Sequence, residues 1–494
     1  MSIEIKDNKL IVLSPVTSNI VGSLKISTDE EVDNALNIAK NYKKWSSLSV
    51  NKRCKVINKF RRIVLANSEI IKETIKNETG KKDFVVWVEF FSFLDHAKTM
   101  SKIARKGLKR NYRKTGLLFK NKTAYVQYEP LGTVGIIAPW NYPLATPLNS
   151  TMEALLAGNN VILKPSEHTP LTSNLLKKLW DENIEYKEAF QIVNGQGDIG
   201  SKLVNSILTD IISFTGSTKV GKEIASICSK TLKPCILELG GKDPMIVLKD
   251  ASLHRSVESA LYSGLFNSGQ TCISTEEVYV EEDIFDDFVS MISSRINTFS
   301  SGGKDNDDLG PIITSDTKNK IDSQINEVKD ICNIVSGKNN DNAKYVAPTI
   351  VVNPPSSSKI VNEETFGPVM SIRSFNNEGE LIEKIHKTGY GLSSSIFGKD
   401  KKRIHRIVKM LKTGNVNIND VMTNYGITSL PYGGEGISGL GKQHGIEGLI
   451  SLSRTKSVVV NKFNFIDEIT WWGRSKKLES FLGKITFWLF KLWI

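Results

Sequence analysis

The chain has 494 residues, 40% hydrophobic and 24% charged, a composition that suits a globular protein with room for two or three domains and excludes a disordered or fibrous chain. Its formal charge of +12 fits an anionic cofactor, an acidic substrate or an anionic membrane surface, but the lysines run from Lys6 to Lys491 without a dense basic block, so no nucleic-acid partner is expected. Five cysteines without a C-x-x-C or a Cys/His cluster indicate neither a disulfide framework nor a metal site, and the expected setting is the cytoplasm.

The amino terminus, MSIEIKDNKL, alternates apolar and charged residues and is predicted as a short strand, without the apolar run of a signal peptide. From Asp29 to Ala66, apolar residues at three- and four-residue spacing predict two amphipathic helices interrupted near Ser46–Ser49. The middle third alternates short buried runs with turns and helical patterns, at Thr133–Pro143, Asn160–Pro170, Phe190–Gly200 and Ile211–Gly221. A second series begins at Pro244 and continues through Glu277–Val280, Ser371–Phe375 and Gly414–Asp420. Such alternation predicts parallel sheets with crossover helices in two α/β domains.

Three stretches could cradle phosphate. Gly195-Gln-Gly197-Asp-Ile-Gly200 matches G-x-G-x-x-G between a strand and a helix, yet the next strand ends in Phe214-Thr215-Gly216 rather than in the acid that would hold a ribose. The turn Gly216–Glu223 resembles a Walker A loop, but Glu223 stands where a magnesium-binding hydroxyl belongs, so a nucleoside triphosphatase is not expected. What remains is a glycine turn with Ser217 as helix cap, its amides free for an anion such as a pyrophosphate. Lys164 and Glu167 follow a third strand; together they could bind the two hydroxyls of an adenine ribose, and the carboxylate would repel a 2′-phosphate, favouring NAD over NADP. Taken alone, such a stretch is more often just a proline turn.

Candidate chemistry gathers at three positions. Cys272 sits in Asn267-SGQTCIS, where nearby amides could lower the pKa of a nucleophilic thiol; a buried structural cysteine is the plain alternative. Glu238, between apolar residues and before paired glycines, is placed for desolvation to raise its pKa towards that of a general base, or else is a capping carboxylate. Asn141 ends a buried strand and could donate to an oxyanion, or could bond its own turn.

The ordered motifs PWNYP, LKPSE, FTGSTKVG, LELGGKDP, NSGQTCIS, EETFGPV, GNVNIND and PYGGEGISGLG resemble the aldehyde dehydrogenase superfamily across nearly the whole chain. The resemblance implies an α/β fold with a Rossmann-like cofactor domain (1–119 and 132–238), a catalytic domain (239–430) and a small β oligomerisation element with a bridging segment (120–131 and 431–463). It implies Cys272 as the catalytic thiol, Glu238 as the hydrolytic base and Asn141 as the oxyanion donor. It also implies cofactor contacts at Lys164 and Glu167, at Gly216, Ser217 and Gly221 of the pyrophosphate turn, and at Glu364, Phe366 and nearby Trp140 on the nicotinamide side. The Gly195 fingerprint becomes a neighbouring loop. NAD is the implied cofactor, an aldehyde the substrate, no metal is required, and a homodimer or homotetramer is expected, with the strand near Ala124–Tyr128 paired to one near Ser457. CoA-acylating relatives lack the glutamate, so Glu238 argues for a carboxylic acid product.

The last segment, 464–494, is predicted as an amphipathic tail. Leu478, Phe481, Leu482, Ile485, Trp488, Leu489 and Leu492 form one stripe, while Lys477, Lys484 and Lys491 recur opposite it. About ten residues after Lys484 are too few to cross hydrocarbon, which needs roughly 20. A helix lying at a membrane interface through residues 474–494, at a cytosolic membrane face, is one expectation; packing on protein is the other. A membrane-bound enzyme would favour a lipophilic, fatty or polyene aldehyde. Succinic semialdehyde is the alternative substrate, and a non-catalytic membrane-surface protein of the same fold the alternative function.

Overall fold

The computed structural model describes residues 3–339, 344–463, 465, 467, 468, 471, 472 and 475–491. The amino-terminal strand Ile3–Lys6 pairs antiparallel with Lys9–Leu13, which pairs in turn with Ile20–Lys25. Asp7 and Asn8 make the connecting turn with φ of 50° and 58°, the backbone a two-residue hairpin requires. A small sheet therefore stands where a single strand was expected, because the apolar–charged alternation continues past that turn; Met1 and Ser2 of that expectation lie outside the described residues.

The expected helices follow, as Asp29–Asn41, the short Lys43–Ser46 and Val50–Ala66. Thr28 starts the first one with a capping box: its hydroxyl accepts from the Glu31 amide, and the Glu31 carboxylate accepts from the Thr28 amide at 2.9 Å. Val50–Ala66, Asp83–Gly107 and Ala145–Ala157 pack together, with the buried Trp45 indole donating to the Leu155 carbonyl at 3.0 Å.

Two sheets frame the centre of the molecule. The first has the order Gly439–Leu440, Cys235–Glu238, Ile211–Thr215, Thr133–Ile137, Asn160–Lys164, Phe190–Ile192, parallel throughout except for its first, two-residue strand. The second has the order Asn333–Ser336, Thr349–Val352, Val369–Phe375, Thr275–Glu281, Asp243–Val247, Ser393–Phe397, Asn415–Ile418, parallel except at Asn333–Ser336. Their apolar faces are covered by helices, which explains the continuous Val/Ile/Leu runs of the sequence. Strand Cys235–Glu238 leads through Leu239-Gly240-Gly241-Lys242 directly into Asp243–Val247, so the carboxyl end of the first sheet meets the amino end of the second there.

By compactness the chain divides into one unit of residues 1–108 and 129–454 and another of 109–128 and 455–494. Both large sheets belong to the first unit, without a division at residue 238. Residues 431–454, expected in the bridging element, belong there as well, because Gly439–Leu440 adds to the edge of the first sheet. The second unit contains Asn111–Arg113 and most of Lys122–Pro130 and Ser453–Asn461, in the sheet order Ser453–Asn461, Lys122–Pro130, Asn111–Arg113. Lys122 in this unit is paired with Glu468. It ends in the helix Lys476–Lys491, none of whose residues is buried. Leu492 of the expected stripe lies outside the described residues. Among the described residues, no helix is long and apolar enough to cross a membrane.

Candidate active site

A cavity of about 540 Å³ opens where the two sheets meet, and Cys272, Glu238 and Asn141 all line it. Cys272 is delivered by a turn in which Asn267, Ser268 and Gly269 all take left-handed backbone, with φ of 53°, 57° and 71°. For Asn267 and Ser268 this is costly geometry, held because the turn is pinned on every side. The Ser268 hydroxyl donates to the Gly310 carbonyl at 2.9 Å, the Asn267 amide to the carbonyls of Gln270 and Asn141, and a Cβ on Gly269 would lie 2.0 Å from the Gly367 oxygen.

Burial pushes the Cys272 thiol up to about 12, with Asp243, Glu238 and Glu364 adding to the rise. This is the reverse of the lowering that nearby amides could bring, because removal from water outweighs them. One contact works the other way, since Tyr432 Oη lies 3.4 Å from Cys272 Sγ and a hydroxyl there stabilises the thiolate.

Glu238 closes its strand as a buried side chain. Neither carboxylate oxygen has a hydrogen-bond partner by distance and angle, and the nearby Gly434 amide and Lys442 offset only part of the cost of burial. Its pKa therefore stands well above the usual carboxylate range. Asn141 Nδ2 donates one hydrogen to the Gln270 carbonyl at 3.0 Å. The amide carries two hydrogens, so a second remains for a ligand.

Other walls of the cavity include Trp140, Gly216, Ser217, Glu364 and Phe366. Ser217 caps the helix Thr218–Ser229, its hydroxyl accepting from the Val220 amide, which aims the first amides of that helix outward. Glu364 lies against the paired glycines: Gly241 N–H donates to its Oε1 at 3.1 Å, and a Cβ on Gly240 would come within 2.7 Å of its carboxylate. Trp140 and Phe366 meet edge to face at 5.4 Å. Lys164, Glu167 and Gly221 lie outside the cavity wall. Lys164 Nζ bonds Glu167 Oε2 at 3.0 Å just past the strand Asn160–Lys164, while Gly221 makes room for Leu239, which a Cβ there would meet at 2.4 Å. The Ser217-capped helix, the Glu364 cradle and the Lys164–Glu167 pair fit a dinucleotide's pyrophosphate, nicotinamide ribose and adenine ribose.

Several contributors carry no local signal. Glu89 lines the cavity and is buried with Lys81, whose Nζ stands 2.5 Å from it, while Glu89 Oε1 also accepts from the amides of Leu144 and Ala145 and so secures the turn that follows Asn141. Tyr432 and Asn267 likewise reach the site only through the fold. Both lie inside sequence motifs, Tyr432 in PYGGEGISGLG and Asn267 in NSGQTCIS, but nothing local specifies the contact each makes.

Residues 3–458 match the model of the Aldehyde dehydrogenase family. A 4,4′-diapolycopene aldehyde oxidase of Methylomonas sp is 31% identical over 479 residues, covering 96% of this chain and 90% of that protein. A protein named putative succinate-semialdehyde dehydrogenase [NADP(+)] of Mycolicibacterium smegmatis is 30% identical over 460 residues, covering 91% and 88%. The crystal structure of betaine aldehyde dehydrogenase from Staphylococcus aureus in complex with NAD+ superposes with a TM-score of 0.87 at 28% identity, over 94% of each chain.

Proposed function

This chain belongs to the aldehyde dehydrogenase family, and we propose that it oxidises a lipophilic aldehyde to the carboxylic acid with Cys272 as nucleophile, Asn141 as oxyanion donor and Glu238 as hydrolytic base. NAD(P)+ supplies the hydride acceptor. The observation that carries this reading is the convergence of those three side chains on one cavity. Cys272 Sγ, relieved of its proton, bonds the carbonyl carbon, and the carbonyl oxygen becomes an alkoxide held by the free Asn141 N–H. Loss of hydride from that carbon leaves a thioester on Cys272. Glu238, made more basic than an ordinary carboxylate by burial, accepts a proton from water; the hydroxide attacks the thioester, the C–S bond breaks to return the Cys272 thiolate, and the acid leaves. The Lys164–Glu167 pair supports NAD over NADP as the preferred cofactor, because a 2′-phosphate would approach the Glu167 carboxylate.

Substrate class follows from the walls. Tyr142, Tyr262, Phe266, Ile273, Met422 and Tyr425 line the cavity, and Lys320, beside Glu364, is the one cationic side chain among the described lining residues. With Lys320 facing Glu364, a lining of this kind favours an apolar chain over a semialdehyde carboxylate. Phe91, which lines the cavity, stacks on Trp87 at 5.6 Å, and Trp87 stacks on Phe84 at 6.1 Å along one exposed face of the helix Asp83–Gly107, an apolar approach suited to a chain-like substrate. The relative named for an aldehyde of a polyene supports the same reading. A second reading has one specific support: Asp95 and Asp420 line the cavity together with the aromatics, as a cationic aldehyde would require.

The tail helix exposes Phe481, Phe487, Trp488 and Phe490, and its 16 residues give about 24 Å at 1.5 Å per residue, short of the roughly 30 Å of hydrocarbon. It is suited to lie in an interface. Exposed Tyr112, Leu117, Leu118, Phe119 and Val459 in the second unit support a homo-oligomer. The deciding assay compares kcat/KM with NAD+ for decanal, succinic semialdehyde and betaine aldehyde. Decanal is expected to lead by at least about tenfold, the worth of roughly two buried methylenes; a lead for either of the others overturns the lipophilic reading. Flotation of the full chain on anionic vesicles, lost on deleting residues 474–494, tests the tail, and retained binding removes its role.

A further inference from the structure

Behind the cavity, three side chains from three separate elements converge in the core. His96 comes from the helix Asp83–Gly107, Glu153 from Ala145–Ala157, and His444 stands immediately before Gly445–Ser451. Each is 1% exposed, and one donor atom from each lies within 4.8 Å of the other two. His96 Nε2 is 3.0 Å from Glu153 Oε1 without the alignment of a hydrogen bond, and the imidazole rings are 4.7 Å apart. Neither nitrogen of either histidine has a hydrogen-bond partner. Four such atoms in one buried pocket are a large unmet cost, since a polar group that loses water and gains no partner is left uncompensated.

The backbone is also bent to form this arrangement. His444 has φ 57° and ψ 173°, a region that glycine alone occupies freely, and the bend turns its N–H onto both oxygens of Glu153 at 3.2 and 3.4 Å. Strain of this kind fixes the carboxylate with its remaining lone pairs free. A metal binds the neutral imidazole, and each of these buried rings offers one nitrogen toward the shared space.

We propose that His96, Glu153 and His444 form a binding site for a divalent transition metal of the zinc class. Two imidazoles and a carboxylate are a donor set that zinc accepts, with one position left for water or another oxygen. The cation takes one nitrogen lone pair from each imidazole, leaving the other ring nitrogen of each without a partner, and gives the buried Glu153 carboxylate a positive charge beside it. The His444 ring also abuts Tyr432 at 5.5 Å and Tyr425 at 5.0 Å. The ion is thus a clip joining two helices and a loop behind the wall that holds Tyr432 against Cys272, with no part in the chemistry of the aldehyde.

The test uses the full chain, stripped with EDTA, loaded with Zn2+ and passed through gel filtration in metal-free buffer. Elemental analysis is expected to find about one zinc per chain, X-ray absorption to show nitrogen and oxygen neighbours at about 2.0–2.2 Å without sulfur, and Zn2+ to raise the thermal midpoint of the stripped protein. His96→Gln is expected to lower retained zinc at least tenfold, whereas Cys272→Ala retains it. A folded, loaded wild-type chain with no retained zinc, or sulfur in the coordination shell, overturns the site. So does full retention in His96→Gln, and because the wild-type measurements decide on their own, a variant that fails to fold does not protect the proposal.

Discussion

Tyr432→Phe removes a single hydroxyl and keeps a ring that packs edge to face on Tyr425 at 4.9 Å. That hydroxyl stands 3.4 Å from Cys272 Sγ and is the contact that lowers a thiol otherwise driven up to about 12 by burial and surrounding acids. Burial keeps Tyr432 itself a neutral phenol, since its own pKa lies well above 10, so it remains able to donate. A hydrogen bond to a charged group is worth about 1.5–3 kcal/mol, which at 1.36 kcal/mol per pKa unit is about 1–2 units. The sign follows from the raised pKa: the thiolate fraction grows with pH, and losing the donor moves the whole curve to higher pH. The rate of Cys272 alkylation by iodoacetamide, followed by mass of the modified peptide across a pH series, should fall about ten- to a hundredfold at any pH below the transition and recover at high pH. The acid limb of kcat/KM should move with it. An alkylation profile that stays in place would refute the argument, because the contact would then contribute nothing to the thiolate.

Three further substitutions, with the pH dependence of the unmodified enzyme, separate the other roles. Glu238→Gln should accumulate the thioester: one burst of reduced cofactor per active site, followed by turnover lowered about 10²- to 10⁴-fold, read by stopped-flow absorbance and intact mass. In the unmodified enzyme the elevated pKa of Glu238 means that any deacylation-limited rate rises with pH through a range above that of an ordinary carboxylate. Asn141→Ala removes the remaining oxyanion donor and should cost about 10²- to 10³-fold in kcat, with the alkylation rate of Cys272 little changed. Glu167→Gln removes the charge that opposes a 2′-phosphate, so KM for NADP+ should fall about tenfold relative to that for NAD+, a change of about 1.4 kcal/mol; an unchanged ratio would deny Glu167 its part in cofactor choice.

The parts of this fold that were legible in the sequence are those whose cause is local. Alternating buried strands and helices leave a run of Val, Ile and Leu followed by a periodic stripe, so strands such as Thr133–Ile137, Ile211–Thr215 and Asp243–Val247 could be read in place. The same holds for Cys272, Glu238 and Ser217, each set in a turn whose glycines are required by the geometry around it. Gly240 is the clearest case, because the Glu364 carboxylate occupies the space a side chain would need.

What stayed hidden is set by the tertiary environment. The ionisation of Cys272 depends on how much water the closed fold removes, and its direction is opposite to the one its neighbours suggested. Tyr432 bonds a residue 160 positions away, and His444 bonds Glu153 across 291. Period, capping and motif spacing are properties of a few consecutive residues, and none of them encodes such a pairing. The left-handed backbone at His444 shows why the distinction matters: in the sequence it is a histidine beside a glycine, in a segment that ordinary turn chemistry explains. Only the conjunction of strained backbone, buried carboxylate and second imidazole shows a position where local preference has been overruled, and such overruling marks functional constraint more often than packing alone.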